Sequence, residues 1–131
     1  MNYDACKTYL LSKPEVMEVY PFGSDSPSFK ICHKVFATLS YLHGTGQMNL
    51  KCDPDEAERL RDTFDAVVPG HHMNKRHWNT LILNDSIPEA DLKFMMDHSY
   101  SVVVDGLPQD QQDGLVARHG FDVIHKGKLN K

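Results

Sequence analysis

From Gln47 to Cys52 the chain alternates without a break, with Met48, Leu50 and Cys52 on one side and Gln47, Asn49 and Lys51 on the other. Such a segment reads as a strand with one face in the core and one face wet. Two further runs before it, Phe29 to Ile31 and Val35 to Tyr41, are also strand-like, and tight connections at about His33 and at Gly44-Thr45-Gly46 fold the three into a meander. A helix from about Tyr3 to Ser12 precedes them, with Cys6, Tyr9 and Leu10 on one face, and it must stop before Pro14. Between helix and meander, Pro21 to Pro27 is rich in turn formers.

Asp53-Pro54-Asp55-Glu56 announces a second helix: Asp53 can cap, Pro54 suits the first helical position and Glu56 can complete a capping box. Its apolar stripe is Ala57, Leu60 and Phe64. Val67-Val68 and Trp78 to Leu83 predict two more strands, ended by Asn84-Asp85. Ser86-Ile87-Pro88-Glu89 opens a third helix, on which Leu92, Met95, Met96 and Ser99 or Tyr100 recur at helical spacing. His98 and Tyr100 fall at its expected end, where they would cap carbonyls or pack. The order is α-β(3)-α-β(2)-α, an α+β class fold of two layers in which an antiparallel sheet carries helices on one face. Residues 1–107 make one domain, and 108–131 form a polar tail expected to be loosely ordered, or docked through Val116 and Phe121 to Ile124 as an added strand or half-turn.

At 131 residues, 40% of them hydrophobic, the chain has the size of one domain. It lacks both a signal-like leader and a run of apolar residues long enough to cross a bilayer, so the expectation is a cytoplasmic monomer with no membrane partner. Cys6, Cys32 and Cys52 are an odd set without CxxC spacing and read as reduced core thiols. The net charge of −4 argues against a generally basic nucleic-acid binder, but the signs segregate. The windows 26–52 and 66–84 hold no acid and carry Lys30, Lys34, Lys51, Lys75 and Arg76, a total of +5, which leaves −9 for the rest of the chain. Low strand propensity of Asp and Glu would produce the same pattern without any binding function.

The densest chemistry is Pro69-Gly70-His71-His72-Met73-Asn74-Lys75-Arg76-His77-Trp78-Asn79-Thr80, which holds the only Trp, a Lys-Arg pair and three of the eight His. Cationic, imidazole and aromatic groups meet phosphates and base faces, so Lys30, Lys34, Lys51, His72, Asn74, Lys75, Arg76, His77 and Trp78 are the candidate nucleic-acid contacts. Two blander readings stand beside this: Lys75-Arg76 as a solvated turn and Trp78 as a core anchor. Adjacent His on a strand point to opposite faces and no Asp, Glu or Cys is close in sequence, so no metal or other cofactor is expected. Cys32-His33 are sequence neighbours, not a pair facing across a cleft, and phosphate-loop, GxSxG and HExxH motifs are absent, so no enzymatic activity is expected.

His72-Met73-Asn74-Lys75-Arg76-His77-Trp78-Asn79-Thr80, then Ser86-Ile87-Pro88, Leu92 and His98-Ser99-Tyr100, resemble the signature region of the MmcQ/YjbR family of small bacterial proteins. Tyr20-Pro21-Phe22-Gly23, Phe29-Lys30 and Phe36-Ala37 are similar to that family's N-terminal half, and the likeness covers about residues 1–107. The resemblance implies a CyaY-like, secretion-chaperone-like fold and a DNA-binding role by analogy with a double-wing domain. Where relatives tend to have a glycine hairpin after Phe29-Lys30, this chain has Cys32-His33-Lys34. DNA is the first partner this implies, with little sequence specificity expected because the chain has no recognition-helix or finger motif, and a protein partner, with the chain as a chaperone-like adaptor, is the alternative.

Overall fold

A computed structural model describes residues 1–70 and 73–129. Helix α1 (Tyr3–Ser12) leads into β1 (Met17–Val19), β2 (Ser28–Ile31), β3 (Lys34–Leu42) and β4 (Thr45–Lys51), followed by α2 (Pro54–Thr63), β5 (Val67–Pro69), β6 (Trp78–Ile82), α3 (Glu89–Asp105), α4 (Gln109–His119) and α5 (Phe121–Ile124). The strands form one antiparallel sheet in the order β1-β2-β3-β4-β6-β5. The α+β class, the meander and the helices on one face are as the sequence predicts. Strand β1 is not in the predicted order, because three residues, Met17-Glu18-Val19, are too few for alternation to register.

Alternation assigns each strand a core side. Phe29, Ala37, Leu50 and Asn79 lie in one inward row across four strands, and Leu39, Met48, Leu81 and Val67 in the next. At Phe36 the β2–β3 register skips a residue, so Phe36 and Ala37 both turn inward and Phe36 meets Tyr100 edge-on at 5.4 Å. Against this side pack Cys6 and Leu10 of α1, Ala57 and Leu60 of α2, and Leu92, Met95, Met96, Tyr100 and Val104 of α3, all buried. Helix α3 runs past its predicted end to Asp105, so His98 and Tyr100 are mid-helix and buried.

The start of α2 is built as the sequence predicts on one side only. Asp53 Oδ2 accepts from the Glu56 N–H at 3.1 Å, but the Glu56 carboxylate pairs with Arg59, and the Asp53 N–H donates to His98 Nε2 at 3.3 Å. His98 thereby takes the part expected of Glu56 and ties α2 to α3.

One polar cluster sits inside the helical layer. Lys13 Nζ lies 2.7 Å from Asp97 Oδ1, and the Tyr9 hydroxyl donates to the same carboxylate at 2.8 Å. The Lys13 ammonium also stands 5.1 Å from the centre of the Tyr100 ring, whose hydroxyl donates to the Pro14 carbonyl at 2.7 Å. Burial and the Asp97 carboxylate raise the Tyr9 hydroxyl well above its ordinary pKa.

The polar tail is helical. Pro108 precedes α4, Leu115 of α4 and Ile124 of α5 are fully buried, and the Gln112 amide donates to the Asp105 carbonyl at the end of α3 at 3.2 Å and to the Leu107 carbonyl at 2.8 Å. Arg118 and His119 grip Glu15 from α4, with Arg118 Nε at 2.6 Å and His119 Nε2 at 2.7 Å. The hydrogen bonds from Arg118 and then His119 hold the Glu15 carboxyl below the usual carboxylate range. Gly127 closes the chain against α3: at φ +90 its carbonyl meets His98 Nδ1 at 3.0 Å, and a Cβ there would lie 2.5 Å from the His98 nitrogen. The docking expected through Val116 and Phe121 to Ile124 takes helical form rather than that of an added strand, with Val116 packed against the core and Ile124 buried.

Candidate nucleic-acid interface

With all the packed helices on one side, the alternate residues of the sheet make an open face. Its central row runs Val19, Ser28, Thr38, Asn49, Thr80 and Val68 across all six strands. Ser28 is buried, while Thr38, Asn49, Thr80 and Val68 are half-exposed. Within it the Thr80 hydroxyl donates to Asn49 Oδ1 at 2.5 Å, and Asn49 Nδ2 donates to Thr38 Oγ1 at 2.9 Å. On one side of this row lie Ser40, Gln47 and Ile82, and on the other Met17, Lys30, Val35, Lys51 and Trp78. No residue that the register places on this face in these three rows is acidic.

Lys51 and Trp78 are direct cross-strand partners on β4 and β6, both half-exposed. Trp78 therefore sits on the open face, not in the core as a lone Trp in a small domain usually does, because Asn79 takes the inward position opposite Leu50. The backbone behind it is tightly fitted: the Gly70 N–H donates to the Trp78 carbonyl at 3.0 Å, and a Cβ on Gly70 would come within 3.0 Å of the Trp78 Cβ. Lys30 lies on β2, two strands from Lys51 and level with it, with Met17 and Val35 as its neighbours.

The loop before Trp78 runs beside α2. Asn74 Oδ1 accepts from the Arg76 N–H at 3.0 Å and its carbonyl accepts from the His77 N–H at 3.0 Å, so Asn74 shapes the turn. The His77 carbonyl in turn accepts from the Cys52 N–H at 2.8 Å, which fixes the loop to the end of β4. Lys75 and Arg76 are exposed and, with Pro54, Asp55, Glu58 and Arg61 of α2, line a shallow cleft of about 410 Å³. Their surroundings thus mix charges, which sequence windows could not reveal. His72 lies outside the described residues.

Lys34 departs from the predicted set. It pairs with inward-facing Ile31 across the β2–β3 turn, so it stands at the end of the helix side and not with Lys30 and Lys51. The turn between them uses Cys32 at φ +48 and His33 at φ +67, the geometry glycine would favour. Sequence reasoning missed the Thr38-Asn49-Thr80 ladder, since only strand register shows that three polar residues from three strands share one row.

The remaining chemistry is muted. Burial pushes the Cys6 thiol up to about 11 and the Cys52 thiol up to about 12, so neither is a ready nucleophile. Cys32 is half-buried, and all three are free. Among the described residues no helix is long and apolar enough to cross a membrane, and no three His, Cys, Asp or Glu side chains gather as metal ligands.

Fold and face together define a class: a small α+β domain that stacks its helices behind an antiparallel sheet and presents the other sheet surface bare. The YjbR family model matches residues 11–102. The chain belongs to the YjbR family. It is 36% identical over 110 residues to YbdF of Escherichia coli O157:H7, covering 84% of this chain and 90% of that one, and 30% identical over 108 residues to YjbR of Escherichia coli K12, covering 82% and 92%. Both relatives are described as uncharacterized. Among solved structures, the Deinococcus radiodurans protein DR2400 superposes with a TM-score of 0.79 at 26% identity over 87% of each chain. A Pseudomonas syringae protein superposes with a TM-score of 0.68 at 23% identity, over 78% of this chain and 98% of its own, and that likeness speaks to the fold alone. The family match ends within α3, so α4 and α5 lie beyond it.

Proposed function

We propose that this YjbR-family chain is a non-enzymatic nucleic-acid-binding module whose contact surface is the open sheet face. The observation that carries the reading is the cross-strand pairing of Lys51 with Trp78 on a face whose register positions include no carboxylate. A cation beside an aromatic ring offers a phosphate partner and a stacking partner on adjacent strands. Lys30 extends the cationic row on the same face, while Lys75 and Arg76 line the cleft beside α2. Among the described residues no helix projects from this surface, so base-specific reading of a duplex groove has no obvious instrument and binding rests mainly on charge.

Of the five basic residues, the register places two, Lys30 and Lys51, on this face. Neutralising two phosphates gives a log-log salt slope of about −1.8 for duplex DNA and about −1.4 for single strands. Fluorescence anisotropy of labelled DNA, titrated at several salt concentrations with wild type and a Lys30→Ala/Lys51→Ala variant, tests it. Binding that weakens with about these slopes and drops in the variant supports the proposal. Absence of binding at low salt overturns it.

A second reading has its own observation. Met17, Tyr20 and Phe22 are exposed around β1 and the loop after it, Phe22 by 82%, and Tyr41 and Leu42 are exposed at the far hairpin. Exposed aromatics of this kind suit a protein partner, whose binding would respond little to salt.

A further inference from the structure

Resting on the nucleic-acid reading above, we infer that the open face takes a single strand, with a base stacked on Trp78 and its backbone led across Lys51 towards Lys30. The strand order sets the dimensions. Lys30, Lys51 and Trp78 stand on β2, β4 and β6, so the row from Lys30 to Trp78 crosses three strand spacings, roughly 14 Å. A B-DNA major groove is about 12 Å wide and admits a helix or a two-stranded ribbon, so this broad row cannot enter it. Against a duplex the lysines could reach phosphates, but the Trp78 ring would find only paired and stacked bases. A single strand offers an unpaired base face to the ring, and every base has one.

The polar ladder beside this row favours the same ligand. Its hydrogen bonds run one way: Thr80 donates to Asn49, and Asn49 donates to Thr38. An amide nitrogen carries two protons and a hydroxyl one, so the second Asn49 N–H and the Thr38 hydroxyl proton are left over on a half-exposed surface. Both are donors, placed one row from Trp78 and Lys51 on the same face. They can meet the carbonyl and ring-nitrogen acceptors on the edges of unpaired bases, which a duplex hides within its own pairing.

Trp78 is the chain's only tryptophan, so its emission reports this site directly. The experiment titrates the full chain with a short mixed-sequence DNA strand, the same strand annealed to its complement, and an RNA strand of the same sequence, at fixed salt. Anisotropy and intrinsic emission are followed together. The expected result is quenching by a single strand, at least tenfold tighter single-strand than duplex binding, and a further loss of roughly tenfold in Trp78→Leu that Trp78→Phe largely restores. The DNA and RNA arms identify the sugar, and tight binding of either satisfies the inference. Far-UV circular dichroism of each variant separates lost contact from lost fold. Duplex bound as tightly as single strand, or single strand bound without a change in emission, overturns the inference while leaving the nucleic-acid reading standing. No binding of any of the three overturns both.

Discussion

Replacing Lys13 by Met is the sharpest test of how the helical layer is held. Lys13 and Asp97 are 7% and 3% exposed and 2.7 Å apart, so the pair has given up nearly all its water. The methionine keeps most of the apolar stem but leaves Asp97 with the Tyr9 hydroxyl and no cation. Breaking a buried pair on one side costs about 3 to 5 kcal/mol, because the partner's charge stays buried without compensation. A domain of this length has roughly 7 to 20 kcal/mol in all at about 0.05 to 0.15 kcal/mol per residue, so the loss would be easily read. Asp97→Leu should cost as much. The double variant Lys13→Met/Asp97→Leu removes both charges and should return to within about 1 to 2 kcal/mol of wild type. Urea unfolding followed by far-UV circular dichroism and Trp78 emission measures all four species. The reasoning is refuted if Lys13→Met costs less than about 1 kcal/mol, or if the two single penalties simply add in the double variant.

Two shorter tests follow from the same structure. Of the three thiols, Cys32 alone should react with a thiol reagent near pH 8 in the folded protein, since burial holds Cys6 and Cys52 up at about 11 and 12; mass spectrometry of labelled peptides would refute this by finding either buried cysteine modified as fast as Cys32. His33, exposed at φ +67 in the β2–β3 turn, should gain about 0.5 to 1 kcal/mol on replacement by glycine, as relief of left-handed strain outweighs the extra freedom of the unfolded chain, and an unchanged or lower thermal midpoint would count against it.

The class of fold was legible because its main elements carry strong local signals. Gln47 to Cys52 alternates, Asp53-Pro54 caps and starts a helix, and Leu92, Met95, Met96 and Tyr100 share a stripe, and each signal describes the element that formed. Elements decided by long-range contact were not legible. Strand β1 owes its existence to pairing with β2. The length of α3 owes much to what packs on it, since Asp97, His98 and Ser101 are polar residues buried in mid-helix that helical periodicity alone assigns to solvent. Helices α4 and α5 hold through Leu115, Ile124, the Glu15 clasp and Gly127, which come from four separate places in the sequence.

The candidate site divides along the same line. A count of charges by sequence window puts Lys30, Lys34 and Lys51 together, yet the two-residue turn at Cys32-His33 sends Lys34 to the opposite side from Lys30. Trp78 went the other way: composition favours a core position for a lone Trp, but the β4–β6 register makes Asn79 the inward residue and leaves Trp78 beside Lys51. A shift of one residue in that register would exchange the two faces, burying Trp78 and exposing Leu81. The Gly70 N–H bond to the Trp78 carbonyl opposes such a slip, since moving β6 by one residue would break it. Surface chemistry on this face is therefore fixed by packing behind it, which is why the His-Met-Asn-Lys-Arg-His-Trp string marks a place on the fold more surely than it names the residues that touch a ligand.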